Sequence, residues 1–457
     1  MPAEREVDVV VIGAGPAGEV CAGRLADHGL EVALVESDLI GGECSYYACM
    51  PSKGLLRPGE LMAEVHRVPG VSEAITGALD VQSALDRRDE IIHGLDDSGQ
   101  VEWLDRHRVQ LLRGRGRLDG ERRVVVDGES LSARRAVVVA TGSGALMPPI
   151  PGLAEARPWT NREATTAKSA PERLLVLGGG FVGVEMAQAW STLGSDVTLV
   201  EALPRVLSRE EEFASEQVTD ALRERGVDVR TGAEATEVSR ADGEVTLKLE
   251  DGDEVTGDEL LVAIGRRPHT DDLGLETVGL QPGWEIEVDD RMRCGRHEWL
   301  YAIGDVNGRS LLTHMGKYQA RLLADHLGRG DDIPATQDGP VAPRVIFSDP
   351  QVAAVGHTLA SAREAGMNVR ALDGSTAGSA GASFVGRNTA GTSRLVVDED
   401  RKLIVGATFV GVEVAEWLYA ATVAVVGEVP IERLRHAVPA FPTRSEVWLY
   451  LLQDYWG

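Results

Sequence analysis

The chain has 457 residues, of which 43% are hydrophobic and 26% are charged, and its formal net charge is −26 at pH 7. This composition is typical of globular proteins, and the length predicts roughly three or four domains. So large a negative charge disfavours nucleic acid and anionic lipid as partners, because their phosphates would be repelled. No apolar run approaches the roughly 20 residues of a membrane-spanning helix. With only four cysteines the chain is not a disulfide scaffold, and we expect it in a reducing cytoplasm without a membrane partner.

The first motif is a glycine-rich turn close to the start of the chain. An apolar run at Val7 to Val11 leads into Gly13-Ala14-Gly15-Pro16-Ala17-Gly18, and a second apolar run, after a helical pattern, ends at Glu36. This order of strand, turn, helix, strand and acid is typical of a dinucleotide-binding unit. The glycines let the backbone approach a pyrophosphate at a helix N-terminus, and the carboxylate can accept hydrogen bonds from a ribose. The predicted site residues are Gly13, Gly15, Gly18 and Glu36.

The same unit occurs a second time at matching spacing. The run Leu174 to Leu177 leads into Gly178-Gly179-Gly180-Phe181-Val182-Gly183, and Val197 to Val200 ends at Glu201. Two copies with the same spacing predict two bound dinucleotides. The residues of the second site are Gly178, Gly180, Gly183 and Glu201.

Two of the four cysteines, Cys44 and Cys49, lie in the short stretch from Gly41 to Lys53. In a regular helix their Cα atoms would be roughly 7.5 Å apart along the axis, beyond the roughly 7 Å that a disulfide tolerates. If they pair, the backbone between them must be irregular, and a bridge held in this way would be labile. We therefore interpret the pair as a switchable dithiol, and together with two nucleotides it indicates an electron relay.

The remaining patterns predict an α/β fold with two Rossmann-like dinucleotide-binding domains and a C-terminal α+β dimerisation domain. The C-terminal part shows strand patterns at 345–347, 394–397 and 403–410 and a helix pattern at 413–426, with no nucleotide motif. The expected domains are a first nucleotide-binding part at 1–157, a second nucleotide-binding domain at 158–283, a return to the first domain at 284–335, and the dimerisation domain at 340–457.

Together these motifs resemble the pyridine nucleotide-disulfide oxidoreductases of the lipoamide dehydrogenase, glutathione reductase and mercuric reductase group, along essentially the whole chain. The resemblance implies a homodimer that binds FAD at the first glycine unit and NAD(P)H at the second. It also assigns Thr141, Gly142 and Asp305 to FAD, with the Asp305 carboxylate at the ribityl chain. A carboxylate at Glu201 repels a 2′-phosphate, so we expect NADH to be preferred, although Arg205 lies nearby.

The same resemblance assigns roles in the redox centre. Cys44 is implied as the thiol that meets the substrate and Cys49 as the thiol that faces the flavin. Lys53, four residues after Cys49, would stabilise the thiolate and the reduced flavin by its charge. Glu185 matches the family glutamate that pairs with this lysine, and Glu446 matches the partner of the family's catalytic base.

Three features of the sequence depart from the family pattern. Tyr46 and Ala48 stand where the family usually has asparagine and glycine, so the cysteine loop carries aromatic bulk. Phe441 stands at the position of the histidine base and cannot carry a proton. Glu446 therefore lacks the histidine that it usually pairs with, unless Arg444 or water substitutes for the base. The sequence after Glu446 also lacks the cysteine pair that mercuric reductases use, which disfavours Hg(II) as the substrate.

Three hypotheses follow. The first is an FAD enzyme that passes electrons from NADH through Cys44 and Cys49 to a small-molecule acceptor needing no base, such as a quinone near Tyr46, Tyr47 and Phe441. The second is a dihydrolipoamide dehydrogenase-type enzyme that tolerates the loss of the base. The third is a catalytically idle flavin-binding subunit.

Overall fold

The computed structural model describes residues 5–339 and 341–457. The strands in chain order are β1 (Arg5–Ile12), β2 (Val32–Glu36), β3 (Gln110–Arg113), β4 (Gly116–Leu118), β5 (Arg123–Val126), β6 (Glu129–Val139), β7 (Ser143–Ala145), β8 (Arg173–Leu177), β9 (Asp196–Glu201), β10 (Asp228–Thr231), β11 (Ala235–Ala241), β12 (Glu244–Leu249), β13 (Glu254–Gly257), β14 (Glu259–Val262), β15 (Arg266–Pro268), β16 (Leu300–Ala302), β17 (Arg344–Ile346), β18 (Gln351–Gly356), β19 (Val369–Ser375), β20 (Thr392–Asp398) and β21 (Leu403–Gly411).

The α-helices are α1 (Pro16–Asp27), α2 (Gly42–Tyr46), α3 (Cys49–Arg67), α4 (Val81–Ile91), α5 (Ser98–Arg106), α6 (Leu153–Ala156), α7 (Asn161–Thr166), α8 (Phe181–Thr192), α9 (Glu212–Glu224), α10 (Thr313–Arg329), α11 (Leu359–Glu364), α12 (Leu418–Val426), α13 (Ile431–Leu434) and α14 (Val447–Trp456). Within the described residues, no helix is both long enough and apolar enough to cross a bilayer.

The described residues form two compact units. The first contains residues 5–51, 89–146 and 266–339, and the second contains residues 52–88, 147–265 and 341–457. Each unit therefore collects segments that are far apart in the sequence.

The first unit is built on a largely parallel sheet with the strand order β3-β2-β1-β6-β5-β4, in which β16 also pairs with β6. Val9, Val10 and Val11 of β1 are fully buried, as expected for a central parallel strand covered on both faces. Helix α1 connects β1 to β2, which pair in parallel. The predicted strand, turn, helix and strand are thus confirmed, and the glycine turn lies at the carboxyl end of β1.

The second unit contains the predicted repeat of this motif. Strands β8 and β9 pair in parallel and are connected by α8, in a sheet of order β10-β9-β8-β14. A separate antiparallel sheet, β11-β12-β13, follows, which the sequence patterns did not reveal. Its strands alternate buried and exposed residues over only a few positions, so their periodicity is short.

The C-terminal part of the second unit is an antiparallel sheet of order β17-β18-β21-β20-β19. The three predicted strands correspond to β17, β20 and β21, and the last two pair as neighbours. The predicted helix at 413–426 is divided into a 3-10 helix, Val414–Trp417, and the α-helix α12. This confirms an α+β arrangement without a nucleotide-binding turn in this region.

Helices α1 and α10 are joined by a charged contact within the first unit. The Arg24 guanidinium donates two hydrogen bonds to the Asp325 carboxylate at 2.8 and 2.9 Å, and His28 Nε2 lies 2.9 Å from the same carboxylate. The hydrogen bond from Arg24 lowers the pKa of Asp325 from 3.8 to about 2. Asp325 therefore contributes stability above pH 3.8 that is lost as the pH falls towards 2.

We expect Asp325→Asn to lower the free energy of unfolding by about 1 to 2 kcal/mol at pH 7, because the ionised pair with Arg24 is lost. At pH 3 the loss should be about half as large, because the carboxylate of the unfolded chain, with its ordinary pKa of 3.8, is then mostly protonated while that of the folded chain is still ionised. Urea denaturation followed by circular dichroism at both pH values measures this. Asp332→Asn, which breaks an exposed pair with Arg291, serves as the control and should change little. An equal loss at both pH values for Asp325→Asn would contradict the assignment.

Candidate active site

The first glycine turn has the backbone geometry of a phosphate cradle. Gly13 has a φ of 101°, which favours glycine, and a Cβ on Gly18 would collide with the Gly13 carbonyl. A Cβ on Gly15 would meet no atom within 4 Å, so this residue borders open space. No side chain caps the N-terminus of α1, which leaves its backbone N–H groups directed at that space. These features fit the pyrophosphate of a dinucleotide.

The second glycine turn repeats each of these features. Gly178 has a φ of 111°, a Cβ on Gly183 would collide with the Gly178 carbonyl, and Gly180 borders open space. The N-terminus of α8 also has no side-chain cap. The structure thus gives both turns the same capacity for a pyrophosphate.

The acids that end β2 and β9 brace their glycine turns. The N–H of Ala14 donates to Glu36 Oε2 at 2.6 Å, and the N–H of Gly179 donates to Glu201 Oε2 at 2.5 Å. The other oxygen of each carboxylate accepts a further backbone N–H. Because two carboxylate oxygens can accept about four hydrogen bonds, both acids keep capacity for a ribose hydroxyl. Sequence reasoning assigned the ribose role but missed the bracing role.

Asp305 lies in a polar cluster of the first unit. The Ser143 hydroxyl donates to Asp305 Oδ2 at 2.6 Å, and Arg266 Nε donates to the Ser143 hydroxyl at 2.7 Å. Arg266 also donates to Glu43 Oε2 at 3.1 Å, so one arginine is shared by two carboxylates. Burial raises the pKa of Asp305, and the hydrogen bond from Ser143 partly offsets this. The sequence singled out Asp305 alone, because the other three residues belong to segments far apart in the chain.

Thr141 and Gly142 are held against the segment that follows β15. The Thr141 hydroxyl donates to the carbonyl of His269 at 3.0 Å, and the N–H of His269 donates to the carbonyl of Gly142 at 3.0 Å. Gly142 has a φ of 69° and borders open space. Both residues therefore lie at the carboxyl end of β6, in the same unit as the first glycine turn.

The backbone between the two cysteines is irregular, as the spacing predicts. Cys44 lies in α2 and Cys49 begins α3, and the chain leaves helical geometry at Tyr47. Gly41 and Gly42, with φ values of 106° and 58°, allow the sharp entry into α2. Two separate helices, the short α2 and the long α3, thus bring the two cysteines together, which one continuous helix would not do.

Both cysteines are thiols in this structure, and a hydrogen bond joins them. This hydrogen bond raises the pKa of Cys44, and burial raises it further. The hydroxyl of Thr313, the first residue of α10, lies 3.3 Å from Cys49 Sγ and also bonds Cys44. Thr313 was not predicted, since it follows the cysteines by more than two hundred residues. The arrangement is that of a reduced dithiol beside one hydroxyl group.

The other two cysteines have a different environment. Cys21 and Cys294 are fully buried. Burial raises the pKa of Cys21 to about 12 and also raises the pKa of Cys294. They are therefore inert core residues, and they provide internal controls for thiol chemistry.

The predicted ion pair between Lys53 and Glu185 is present in the second unit. Lys53 Nζ lies 2.7 Å from Glu185 Oε2, and the glutamate side chain is only 4% exposed. The N–H of Phe347 donates to the other glutamate oxygen at 3.0 Å, and Lys53 Nζ lies 4.7 Å from the centre of the Phe347 ring. Glu185 is thus a buried carboxylate with two partners, and not a helix residue exposed to solvent.

The expectation that Tyr46 meets an acceptor is wrong. Its side chain is 1% exposed, and its hydroxyl donates to Gln100 at 3.1 Å. The Tyr46 side chain is thus a core residue of the first unit, where its bulk fills space beside the cysteines. Tyr47, in contrast, is half-buried.

The C-terminal motif is also arranged differently from the prediction. Glu446 is buried and accepts a hydrogen bond from the N–H of Gly381 at 3.3 Å, so it has a partner without a histidine. Arg444 donates to the Val412 carbonyl and to Glu413, which engages its guanidinium group. Phe441 is 78% exposed. Within the second unit, Arg444 is therefore poorly suited to replace the base.

Comparison with known proteins covers nearly the whole chain. Residues 7–320 match the family model described as pyridine nucleotide-disulphide oxidoreductase, and residues 342–451 match the dimerisation domain of the same family. The dihydrolipoyl dehydrogenase of Haloferax volcanii is 32% identical, over 98% of this chain and 96% of the relative. The mercuric reductase of Lysinibacillus sphaericus is 31% identical, over 97% of this chain and 81% of the relative.

Solved structures give the same result. The HOCl-induced flavoprotein disulfide reductase RclA from Escherichia coli superposes with a TM-score of 0.86 at 26% identity, over 98% of this chain and 99% of that chain. A second structure of RclA, described as a Cu(II) complex, has a TM-score of 0.87. LpdA from Mycobacterium tuberculosis has a TM-score of 0.86 at 26% identity.

Proposed function

This chain belongs to the pyridine nucleotide-disulphide oxidoreductase family, and from that premise we propose that it moves electrons from NADH through FAD to Cys44 and Cys49, and on to a small-molecule acceptor. The family's enzymes are flavoproteins that use a pyridine nucleotide as reductant. The observation that carries the proposal is the hydrogen-bonded thiol pair on two separate helices. When bound, FAD supplies two-electron chemistry between a nicotinamide and a dithiol.

We assign the following roles to residues of this chain. The first glycine turn and the carboxylate of Glu36 would hold FAD, together with Thr141, Gly142 and Asp305. The second glycine turn and Glu201 would hold the nicotinamide cofactor. Lys53 would supply the positive charge that stabilises the thiolate and the reduced flavin. Glu185 holds the ammonium group of Lys53 in place by a buried ion pair. By the family resemblance, Cys44 would meet the acceptor and Cys49 would face the flavin.

The environment of Glu201 supports a preference for NADH. Its carboxylate repels a 2′-phosphate, and the nearby cation does not compensate. The Arg205 guanidinium donates to the carbonyls of Glu210 and Ser208, at 3.1 and 2.8 Å. The guanidinium group of Arg205 is thus held by carbonyls of its own loop.

We expect Glu201→Gln to reduce the preference for NADH over NADPH by about tenfold in kcat/KM, because it removes one repelling charge. The glutamine oxygen can still accept the N–H of Gly179, so one of the two hydrogen bonds that brace the loop is kept. Steady-state kinetics with both nucleotides measure the ratio. Glu36→Gln makes the same change in the first copy and should leave the ratio unaltered. An unchanged ratio in Glu201→Gln would contradict the role of this carboxylate.

The acceptor we propose is one that needs no proton carrier at position 441. Phe441 is exposed and apolar, so an acceptor that meets it would be planar and apolar, such as a quinone. Tyr46 is buried and is not proposed for contact with the acceptor. A metal ion such as Cu(II), which one RclA structure contains, would also need no base.

A dihydrolipoamide dehydrogenase-type activity is the second candidate. It is favoured by the relative from Haloferax volcanii and by Glu446, which occupies the position of the base's partner. The absence of an ionisable group at Phe441 counts against it.

A homodimer fits the match to a dimerisation domain, and we propose this state for the protein. Four large apolar side chains in that part of the second unit are 73 to 79% exposed in the single chain: Phe384, Tyr419, Val438 and Phe441. Exposed apolar surface of this kind is typical of a face that another chain covers.

Anaerobic titration with NADH tests the proposed relay. A protein that reduces both FAD and the disulfide should consume about two equivalents of NADH per chain, whereas flavin reduction alone consumes about one. Thiol counting before and after the titration should show two additional thiols. If the bound flavin is not bleached, the idle-subunit hypothesis is favoured instead. A panel of quinones, disulfides and Cu(II) then identifies the acceptor class.

A further inference from the structure

The loop that follows β9, residues 202–211, packs directly on the second glycine turn, and we call it the bracing loop. The N–H of Leu207 donates to the carbonyl of Gly179 at 2.9 Å, and the N–H of Gly179 donates to Glu201 at 2.5 Å. A Cβ on Gly179 would lie 2.9 Å from a methyl carbon of Val206. Both polar groups of the Gly179 backbone are thus held from this side, so the position of the loop fixes that of the turn.

Two buried carboxylates end the bracing loop. Glu210 and Glu211 are 7% and 5% exposed, although glutamate is rarely buried without a partner. The N–H of Glu210 donates to the carbonyl of Leu207 at 2.9 Å, and the carbonyl of Glu210 accepts a hydrogen bond from Arg205 at 3.1 Å. The backbone of Glu210 is therefore bound within the loop, which leaves its carboxylate to bind another element.

The C-terminal sheet supplies a cation to each of these carboxylates. Arg344, the first residue of β17, donates two hydrogen bonds to Glu210, at 2.6 and 2.9 Å. Arg394 of β20 donates to Glu211 at 2.8 Å, and the N–H of Leu359 donates to the other oxygen of the same carboxylate at 2.8 Å. A bidentate arginine–carboxylate pair fixes geometry as well as adding energy. All of these residues lie in the second unit, so the bracing loop is anchored to a sheet that carries no nucleotide motif.

We propose that Glu210 and Arg344 are positioning residues for the nicotinamide nucleotide, because their ion pair holds the bracing loop, and through it Gly179, in the arrangement that binds the pyrophosphate. This inference rests on the proposed function, in which the second glycine turn holds that nucleotide. A pyrophosphate is bound by backbone N–H groups at a helix N-terminus, so a displaced turn weakens several hydrogen bonds at once. The dimerisation domain, matched at residues 342–451, thus sets part of the nucleotide affinity of its own chain.

The test is calorimetric titration of the FAD-bound holoprotein with ADP-ribose, which carries the adenosine and pyrophosphate of NADH but no nicotinamide. We expect Arg344→Met to raise the Kd of ADP-ribose about tenfold, because the loop loses its anchor. The KM for NADH should rise by a similar factor while kcat stays within about twofold, since the reacting groups are unchanged. Arg344→Lys keeps the charge and should retain most of the affinity. Arg173→Met is the matched control, because it breaks an arginine pair with Asp258 at the opposite end of β8, and it should leave the Kd unchanged.

A double variant distinguishes the ion pair from a general loss of stability. Glu210→Leu alone should weaken ADP-ribose binding as Arg344→Met does, and the two changes combined should weaken it no more than either one, because both remove the same interaction. An unchanged Kd in Arg344→Met, or additive losses in the double variant, would overturn the inference. Because ADP-ribose undergoes no reaction, these results reject the positioning role alone, whereas a wild type that does not bind ADP-ribose rejects the nucleotide site of the proposed function and the inference with it.

Discussion

Replacement of Cys44 by serine is expected to lower acceptor turnover by at least about 100-fold, while NADH still bleaches the bound flavin. Serine cannot form a disulfide, and its hydroxyl is a far weaker nucleophile than a thiolate. The NADH consumed in the anaerobic titration should fall from about two equivalents to about one. Stopped-flow absorbance and steady-state turnover with quinones measure the two effects separately.

The matched control for this experiment is Cys294→Ser. Cys294 is fully buried, and burial raises the pKa of its thiol, so the same substitution there should leave both the NADH stoichiometry and the turnover intact. Cys49→Ser should show the one-equivalent stoichiometry of Cys44→Ser. Undiminished quinone turnover in Cys44→Ser would mean that the flavin reduces the acceptor directly and that the thiol pair has another task.

Introducing histidine at position 441 is expected to raise turnover with dihydrolipoamide by about 10²- to 10⁴-fold, the usual contribution of a positioned acid or base. The side chain at 441 is exposed, so an imidazole should be accommodated without core strain. Glu446 is present five residues later and buried, as a base's partner would be. The variant should also acquire a pH-dependent limb near the ordinary histidine pKa of about 6.5.

Two further variants test whether the gain depends on a proton carrier. Phe441→Leu changes the same side chain without adding a base, and dithiol turnover should stay at the wild-type level. Phe441→His combined with Glu446→Gln should show a smaller gain, because a carboxylate orients and stabilises a catalytic imidazole. If Phe441→His shows no gain and the wild type is already a fast dihydrolipoamide oxidant, the protein replaces the base by other means and the second candidate function is favoured.

Local sequence determined the two glycine turns. Gly13 and Gly178 require a positive φ, and Gly18 and Gly183 lie too close to a carbonyl for any side chain. These constraints act within about 25 residues, so the pattern of glycines, strands and a final acid is readable without a structure. The irregular backbone between Cys44 and Cys49 follows in the same way, from their spacing.

Tertiary structure alone decided what surrounds the thiol pair of Cys44 and Cys49. Thr313 comes to the cysteines from α10, and Arg266 comes to Glu43 from β15. Such partners are brought together by the packing of distant strands and helices, which leaves no periodic signal in the chain. Burial likewise decided that Tyr46 is a core residue, because a bulky side chain beside a reactive cysteine can either fill the core or face an acceptor. The sequence therefore specified the two glycine turns and the cysteine spacing, and the fold specified which groups surround the thiol pair.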